Sequence, residues 1–150
     1  MKQPITYTVT VDPYGTKHWF LNGKLHREDG PALEYANGTK FWFLNDNLHR
    51  EDGPASEYAD GTKSWFLNGT CHREDGPASE YANGNKFWFL NGKLHREDGP
   101  AVECSDGTKA WYLNGIIYTE EEFLIKTQPV VEMTMADIEK LVGKKVKIVK

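Results

Sequence analysis

The feature that most constrains this chain is a period. His26, His49, His72 and His95 stand 23 residues apart, and Trp19, Trp42, Trp65, Trp88 and Trp111 keep the same step. A fixed period of this length means one small supersecondary unit copied along an array, each copy burying its faces against its neighbours. Every tryptophan is a repeat position, so none is left over for an isolated pocket. The array runs over residues 12–118, from the half unit "DPYGTKHWFLNG" to "GTKAWYLNG". Residues 1–11 precede it as a capping strand and 119–150 follow it as a cap.

One unit reads "HREDGPALEYANGTKFWFLNDNL". It holds two strand-sized segments, 31–36 and 39–45, punctuated by Asp29-Gly30, Asn37-Gly38 and Asn45-Asp46; the other units write the last as Asn-Gly. Asn-Gly and Asp-Gly tolerate positive φ at both central positions and so predict tight type I′ hairpin turns. Trp, Phe and Tyr suit a half-buried pleated surface, and Pro31, which donates no ladder bond, marks a strand start. Helices need longer stretches than this punctuation leaves. The fold class that follows is mostly β: an elongated antiparallel sheet of 23-residue β-hairpin repeats with a small α+β C-terminal cap. Nine or ten strands at about 4.8 Å each give a sheet on the order of 45 Å long.

Comparison of the copies sorts the faces. Lys40, Trp42 and Leu44 recur in every unit and point one way, because side chains alternate along a strand. These predict repeat-on-repeat stacking of Trp and Leu. On the other face one position drifts as His18, Phe41, Ser64, Phe87 and Ala110, while its neighbour stays aromatic (Phe20, Phe43, Phe66, Phe89, Tyr112). In the first strand the drifting set is Leu33, Ser56, Ser79 and Val102. The drifting set is expected to face solvent or a partner.

At the end of the array "YTEEEFLIKTQPVVEM" replaces a further repeat. Thr119 with Glu122 and Thr134 with Asp137 are spaced as capping boxes, which predicts helices over 120–126 and 135–142, the second stopped by Gly143. "KKVKIVK" alternates and predicts a closing strand.

His26, Arg27, Glu28 and Asp29 invite a chemical reading as acid, base or metal ligands. The spacing opposes it. No second His lies near His26 within its unit, Arg27 would repel a divalent cation, and Asp29 before Gly30-Pro31 is the usual setting for an acid bonded to turn backbone. An enzyme needs one asymmetric site, and four near-identical copies do not make one. The expected roles are structural: Arg27 paired with Glu34 or with the equivalent acid one repeat along, His26 bonded to a neighbouring carbonyl, Asp29 holding the turn. No catalytic residue, metal ligand or cofactor is assigned.

Bulk properties exclude further classes. Charged residues are 27% with a net charge of −4, so neither disorder nor a strongly cationic nucleic-acid surface is indicated. No apolar run approaches the roughly 20 residues of a membrane span, and the first residues lack the apolar core of a secretory signal. Cys71 and Cys104 stand where sibling repeats carry Leu or Tyr, a pattern of drift in a reducing compartment rather than of a disulfide. Stacking aromatics would suit nucleic acid only among basic residues, and each unit is near neutral. Lys140, Lys144, Lys145, Lys147 and Lys150 make the last eleven residues basic, read as a solvated face of the cap. "GKK" follows no strand and lacks the rest of a phosphate loop.

The units resemble MORN-type repeats, whose members run as successive hairpins of about 23 residues. More closely, "WFLNGKLHREDGPALEYANGTK" is similar to the HREDGPA-type variant of bacteriophage and giant-virus proteins, over about residues 12–115. "MTMADIEKLVGKKVKIV" is similar to a C-terminal segment shared by phage proteins of this kind. The inserted His-Arg-Glu-Asp departs from the standard MORN pattern, and a net acidic chain argues against a lipid-binding role. The resemblance implies a protein of the host bacterial cytoplasm with no family active site to carry over. The expected function is non-enzymatic: a repeat sheet presented to a protein partner, a host defence or toxin component, through His18, Phe41, Phe87, Tyr112, Leu33 and Val102. A homodimer through the edge strand "ITYTVTV" is expected as well. The alternative is small-molecule or carbohydrate binding by the aromatic hairpins, as in choline- and glucan-binding repeats, which are secreted.

Overall fold

The computed structural model describes residues 5–128, 134–143 and 145. Strand β1 (Thr8–Val11) opens the chain, followed by β2 (Lys17–Leu21) and β3 (Lys24–Leu25). Each full repeat then contributes four strands of two residues. In the first repeat these are β4 (Leu33–Glu34), β5 (Lys40–Phe41), β6 (Phe43–Leu44) and β7 (Asn47–Leu48). The second supplies β8 (Ser56–Glu57), β9 (Lys63–Ser64), β10 (Phe66–Leu67) and β11 (Thr70–Cys71). The third supplies β12 (Ser79–Glu80), β13 (Lys86–Phe87), β14 (Phe89–Leu90) and β15 (Lys93–Leu94). The last comprises β16 (Val102–Glu103), the longer β17 (Lys109–Leu113) and β18 (Ile116–Tyr118).

The sheet is antiparallel throughout and runs β1-β2-β4-β5-β8-β9-β12-β13-β16-β17-β18, with β3 beside β2. The predicted architecture is therefore present, with ten strands side by side from β1 to β17. One feature was not legible. Between β5 and β6 the ladder breaks at Trp42, whose N–H turns to the Ala55 carbonyl while its own carbonyl takes the His49 N–H. The lower ends of the long strands consequently separate into a second row of small hairpins, β6-β7, β10-β11 and β14-β15. Neighbouring hairpins are stitched by backbone bonds from Arg27, Arg50, Arg73 and Arg96 N–H to the carbonyls of Phe43, Phe66, Phe89 and Tyr112.

Turn chemistry divides into two kinds. Asn45-Asp46, with φ of 52° and 66°, and the Asn-Gly pairs at 22–23, 68–69, 91–92 and 114–115 take positive φ at both positions, as type I′ requires. At Asn37-Gly38 only the glycine does. Gly38 donates to the Tyr35 carbonyl, Tyr35 to that of Thr39, and the Asn37 side chain accepts from Thr39 N–H. This is the longer hairpin loop built on a type I turn with a left-handed glycine after it. The expected I′ turn is corrected here, because the Asn37 side chain already caps the loop and its backbone has no need of positive φ.

The core is thin. Ala32, Ala55, Ala78 and Ala101 are fully buried where the strands bend, and among the described residues no large side chain is completely enclosed. Buried Thr39 and Thr62 each accept the N–H of Ala59 and Ala82 in the following repeat. Along one face Lys17, Glu34, Lys40, Glu57, Lys63, Glu80, Lys86, Glu103 and Lys109 lie directly opposite one another in turn, an alternating charge ladder that fixes register.

Both capping boxes form. Helix α1 (Glu120–Thr127) starts at Thr119 with Glu122, and α2 (Met135–Val142) starts at Thr134 with Asp137 and stops at left-handed Gly143. Phe123, 2% exposed, is the buried anchor of α1, which packs on β17 and β18. The closing strand expected over 144–150 lies outside the described residues, Lys145 excepted. Phe123→Ala is expected to cost about 3–5 kcal/mol and to release α1, measured as a lowered denaturation midpoint with loss of helical circular dichroism.

Candidate functional site

Arg27 shows how the four-residue block works. Its guanidinium carbon sits 4.4 Å above the centre of the Trp19 ring. On its other side is Gly30, where a Cβ would come within 2.9 Å of that carbon. Nε donates to Asp29 Oδ1 at 2.9 Å, Nη1 donates to the Pro31 carbonyl at 3.3 Å, and Glu34 lies 3.6 Å from Nη1. The arrangement repeats at Arg50, Arg73 and Arg96, with ring distances of 4.2, 4.0 and 4.1 Å and glutamate distances of 3.2, 3.0 and 2.8 Å. Trp19, Trp42, Trp65 and Trp88 thus each stack on an arginine of the following block, where stacking of Trp and Leu from repeat to repeat was expected. A cation over an indole face is electrostatically attracted, and the flat guanidinium suits such a face. Gly30 serves this close approach and not a turn: unlike the turn glycines it lacks positive φ.

The histidines have a second task. Nδ1 of His26, His49, His72 and His95 accepts the backbone N–H of Asn45, Asn68, Asn91 and Asn114 at 3.0–3.2 Å. Each imidazole thereby locks the left-handed Asn in the turn of the following hairpin, through a backbone N–H and not the carbonyl first expected. Nε2 of each ring faces Glu28, Glu51, Glu74 or Glu97 at 3.6–3.9 Å, and Nδ1 of His26 and His49 also lies 3.0 and 2.9 Å from the side-chain oxygens of Asn45 and Asn68. Among the described residues no three His, Cys, Asp or Glu side chains gather as a ligating group.

The drifting residues come together. Strand register sets His18 opposite Leu33, Leu33 opposite Phe41, and continues through Ser56, Ser64, Ser79, Phe87, Val102 and Ala110 as one unbroken cross-strand row. The two drifting sets are one surface feature. Their exposure is uneven, however. Leu33 is only 9% exposed and Ser56 and Ser79 are buried, so that these three positions are packed and do not face solvent as expected. Cys71, in the slot of Leu25, Leu48 and Leu94, places Sγ 3.8 Å from Ser79 Oγ. Burial raises the Cys71 thiol above its ordinary pKa, with the Ser79 hydrogen bond opposing. His18, Phe41, Phe87 and Val102 are half-buried. Tyr112 is also half-buried but pairs with Ile117 one position beyond the row.

Three tyrosines were missed by the sequence reading. Tyr35 and Tyr58 meet the Phe41 ring edge-on at 5.9 and 5.4 Å, and Tyr81 meets Phe87 at 5.5 Å. All three are 43–48% exposed. Their recurrence two positions after the drifting residue of the first strand was the available signal. The surface is thus two aromatic clusters flanking the serines Ser56, Ser64 and Ser79, with Phe41 and Phe87 four strands, about 19 Å, apart.

Two outcomes follow from the arginine block. Arg50→Ala is expected to cost roughly 2–4 kcal/mol for the lost stacking and charged hydrogen bonds. Gly53→Ala, which pushes against the Arg50 guanidinium at 2.9 Å, should cost about 1–3 kcal/mol alone and under about 0.5 kcal/mol once Arg50 is already Ala. Denaturant melts of the two single variants and the double variant measure this coupling. The arginine also holds the carboxyls of Asp29, Asp52, Asp75 and Asp98 below the usual aspartate value, chiefly by the Nε hydrogen bond. A folded-state pKa lower than the unfolded one contributes stability that is complete above the unfolded pKa, about 3.9. It is lost as pH falls through the folded value, so melting temperature should decline below about pH 4, and less steeply when the four aspartates are Asn. No protein-family model matches this chain, and no curated protein is significantly similar to it.

Proposed function

We propose that this chain is a non-enzymatic interaction protein that binds a protein partner on the face carrying the drifting row. The observation that carries this reading is the row itself: the drifting positions His18, Leu33, Phe41, Ser56, Ser64, Ser79, Phe87, Val102 and Ala110 lie in one cross-strand line, flanked by half-exposed aromatic clusters. Solenoid-like sheets bind through extended faces whose residues differ between repeats while the packing residues stay constant. Aromatic anchors beside small polar residues are the usual composition of such a face. The repeated block supports the same reading from the other side, because each of its arginines, aspartates and histidines is engaged in bonds that hold its own repeat. The resemblance to phage hairpin repeats makes the proposed setting the cytoplasm of an infected bacterium and the proposed partner a host defence or toxin component.

The test is a double substitution, Phe41→Ser with Phe87→Ser, which installs the residue Ser64 already carries at that position. Loss of the tyrosine contacts should lower stability by about 1–3 kcal/mol without unfolding the sheet. Tagged wild-type and variant proteins are used to capture partners from infected cells, with the circular dichroism of each checked first. A protein retained by the wild type and lost by the folded variant is the expected result. Equal retention by both would place the partner elsewhere.

A further inference from the structure

The side of the repeats opposite the drifting row carries a series of clefts. Three occur between successive blocks, each floored by one tryptophan and one leucine, as by Trp42 and Leu44 between residues 27–31 and 49–52, with volumes of about 670, 560 and 670 Å3 along the chain. They succeed one another every two strands, about 10 Å.

The N-terminal end of the array displays what the wall of such a cleft accepts. No repeat precedes His26, and Tyr7 takes up that wall instead. Its ring stacks on the His26 imidazole at 6.5 Å and 30°, and its hydroxyl accepts the Glu28 backbone N–H at 3.1 Å. The same imidazole and the same backbone turn recur at His49–Glu51, His72–Glu74 and His95–Glu97. There the N–H groups of Glu51, Glu74 and Glu97 have no hydrogen-bond partner among the described residues. The rims are acidic: the glutamate side chains are 80–85% exposed, and each block carries two acids against one arginine.

From this we infer that the clefts dock tyrosine side chains of a partner segment in the polyproline II conformation, with basic residues between the tyrosines. The spacing selects that conformation. It rises about 3.1 Å per residue with three residues per turn, so every third side chain points the same way at about 9.3 Å, close to the cleft period. A β-strand would point side chains three apart to opposite faces. The phenol hydroxyl meets the free N–H as that of Tyr7 does, the ring lies on the imidazole, and lysine or arginine answers the glutamate rim.

The probe is the peptide Tyr-Pro-Lys-Tyr-Pro-Lys-Tyr with blocked ends, titrated into the full-length 15N-labelled chain at low salt. The expected result is saturable binding that moves the backbone amide signals of Glu51, Glu74 and Glu97 and leaves that of Glu28, already bonded to Tyr7, in place. Tyr7→Ala should make the Glu28 amide respond too. Replacing the three tyrosines by phenylalanine should weaken binding roughly a hundredfold, the loss of about one hydrogen bond at each of the three sites. A single-tyrosine peptide should bind weaker still, because the linked sites no longer act together. Glu51→Gln, Glu74→Gln and Glu97→Gln combined should weaken binding several-fold with the melting temperature unchanged. Equal affinity for the tyrosine and phenylalanine peptides, or shifts confined to residues outside the blocks, would overturn the inference. So would concentration-dependent self-association abolished by Tyr7→Ala without any response to the peptide, which would make the N-terminal segment of a second copy the occupant.

Discussion

The array depends on one contact, an arginine guanidinium held between an indole and a glycine. In a sheet built mainly from two-residue strands, with no large side chain fully enclosed among the described residues, hydrophobic burial is spread thinly and something else must set the relation between successive turns. The arginine does so because it is flat, permanently charged and rich in donors. One face covers the tryptophan and the other admits only a glycine. Its edge reaches an aspartate, a glutamate and the carbonyl of the proline. Each bond is half-exposed and modest. Their number, and their recurrence in four successive units, makes the repeat stiff.

That division of labour explains the sequence. His locks the hairpin turn, Arg spans the stack, Asp orients it, Gly makes room, Pro ends a strand while offering its carbonyl, and Ala fills the bend where two backbones come closest. Positions engaged in this way are identical in all four blocks, and variation falls on positions outside them. The cross-strand row is the result: a line in which leucine, phenylalanine, serine, valine and alanine interchange because the packing beneath is indifferent to them. The surface available for recognition is a by-product of how completely the block is used.

The ends of the array follow the same physics. At the C-terminal end of the array Phe123, buried itself, brings α1 onto the last strands. At the N-terminus β1 completes the sheet while Tyr7 lies on the first histidine. Exposed Val9 and Val11 remain on the outer strand and Ile116 and Ile117 on the last one, the places where such a sheet is open to pairing.

The sequence by itself determined the period, the hairpin class, the two capped helices and the structural character of the repeated block. These are local properties: turn residues, alternation and capping spacings act within a few residues of one another and read directly as backbone preference. Only the tertiary structure decided that the strands split at Trp42 into two rows, that tryptophan packs on arginine, and that Leu33, Ser56 and Ser79 are covered while Tyr35, Tyr58 and Tyr81 are open. Those outcomes depend on which residues meet across strands and between repeats. A drifting position looks the same in sequence whether it drifts because water surrounds it or because its neighbours cover it at any size. The difference between Ser56, buried beneath the row, and Tyr58, standing at its edge two residues on, is set by what the adjoining hairpin places above each of them.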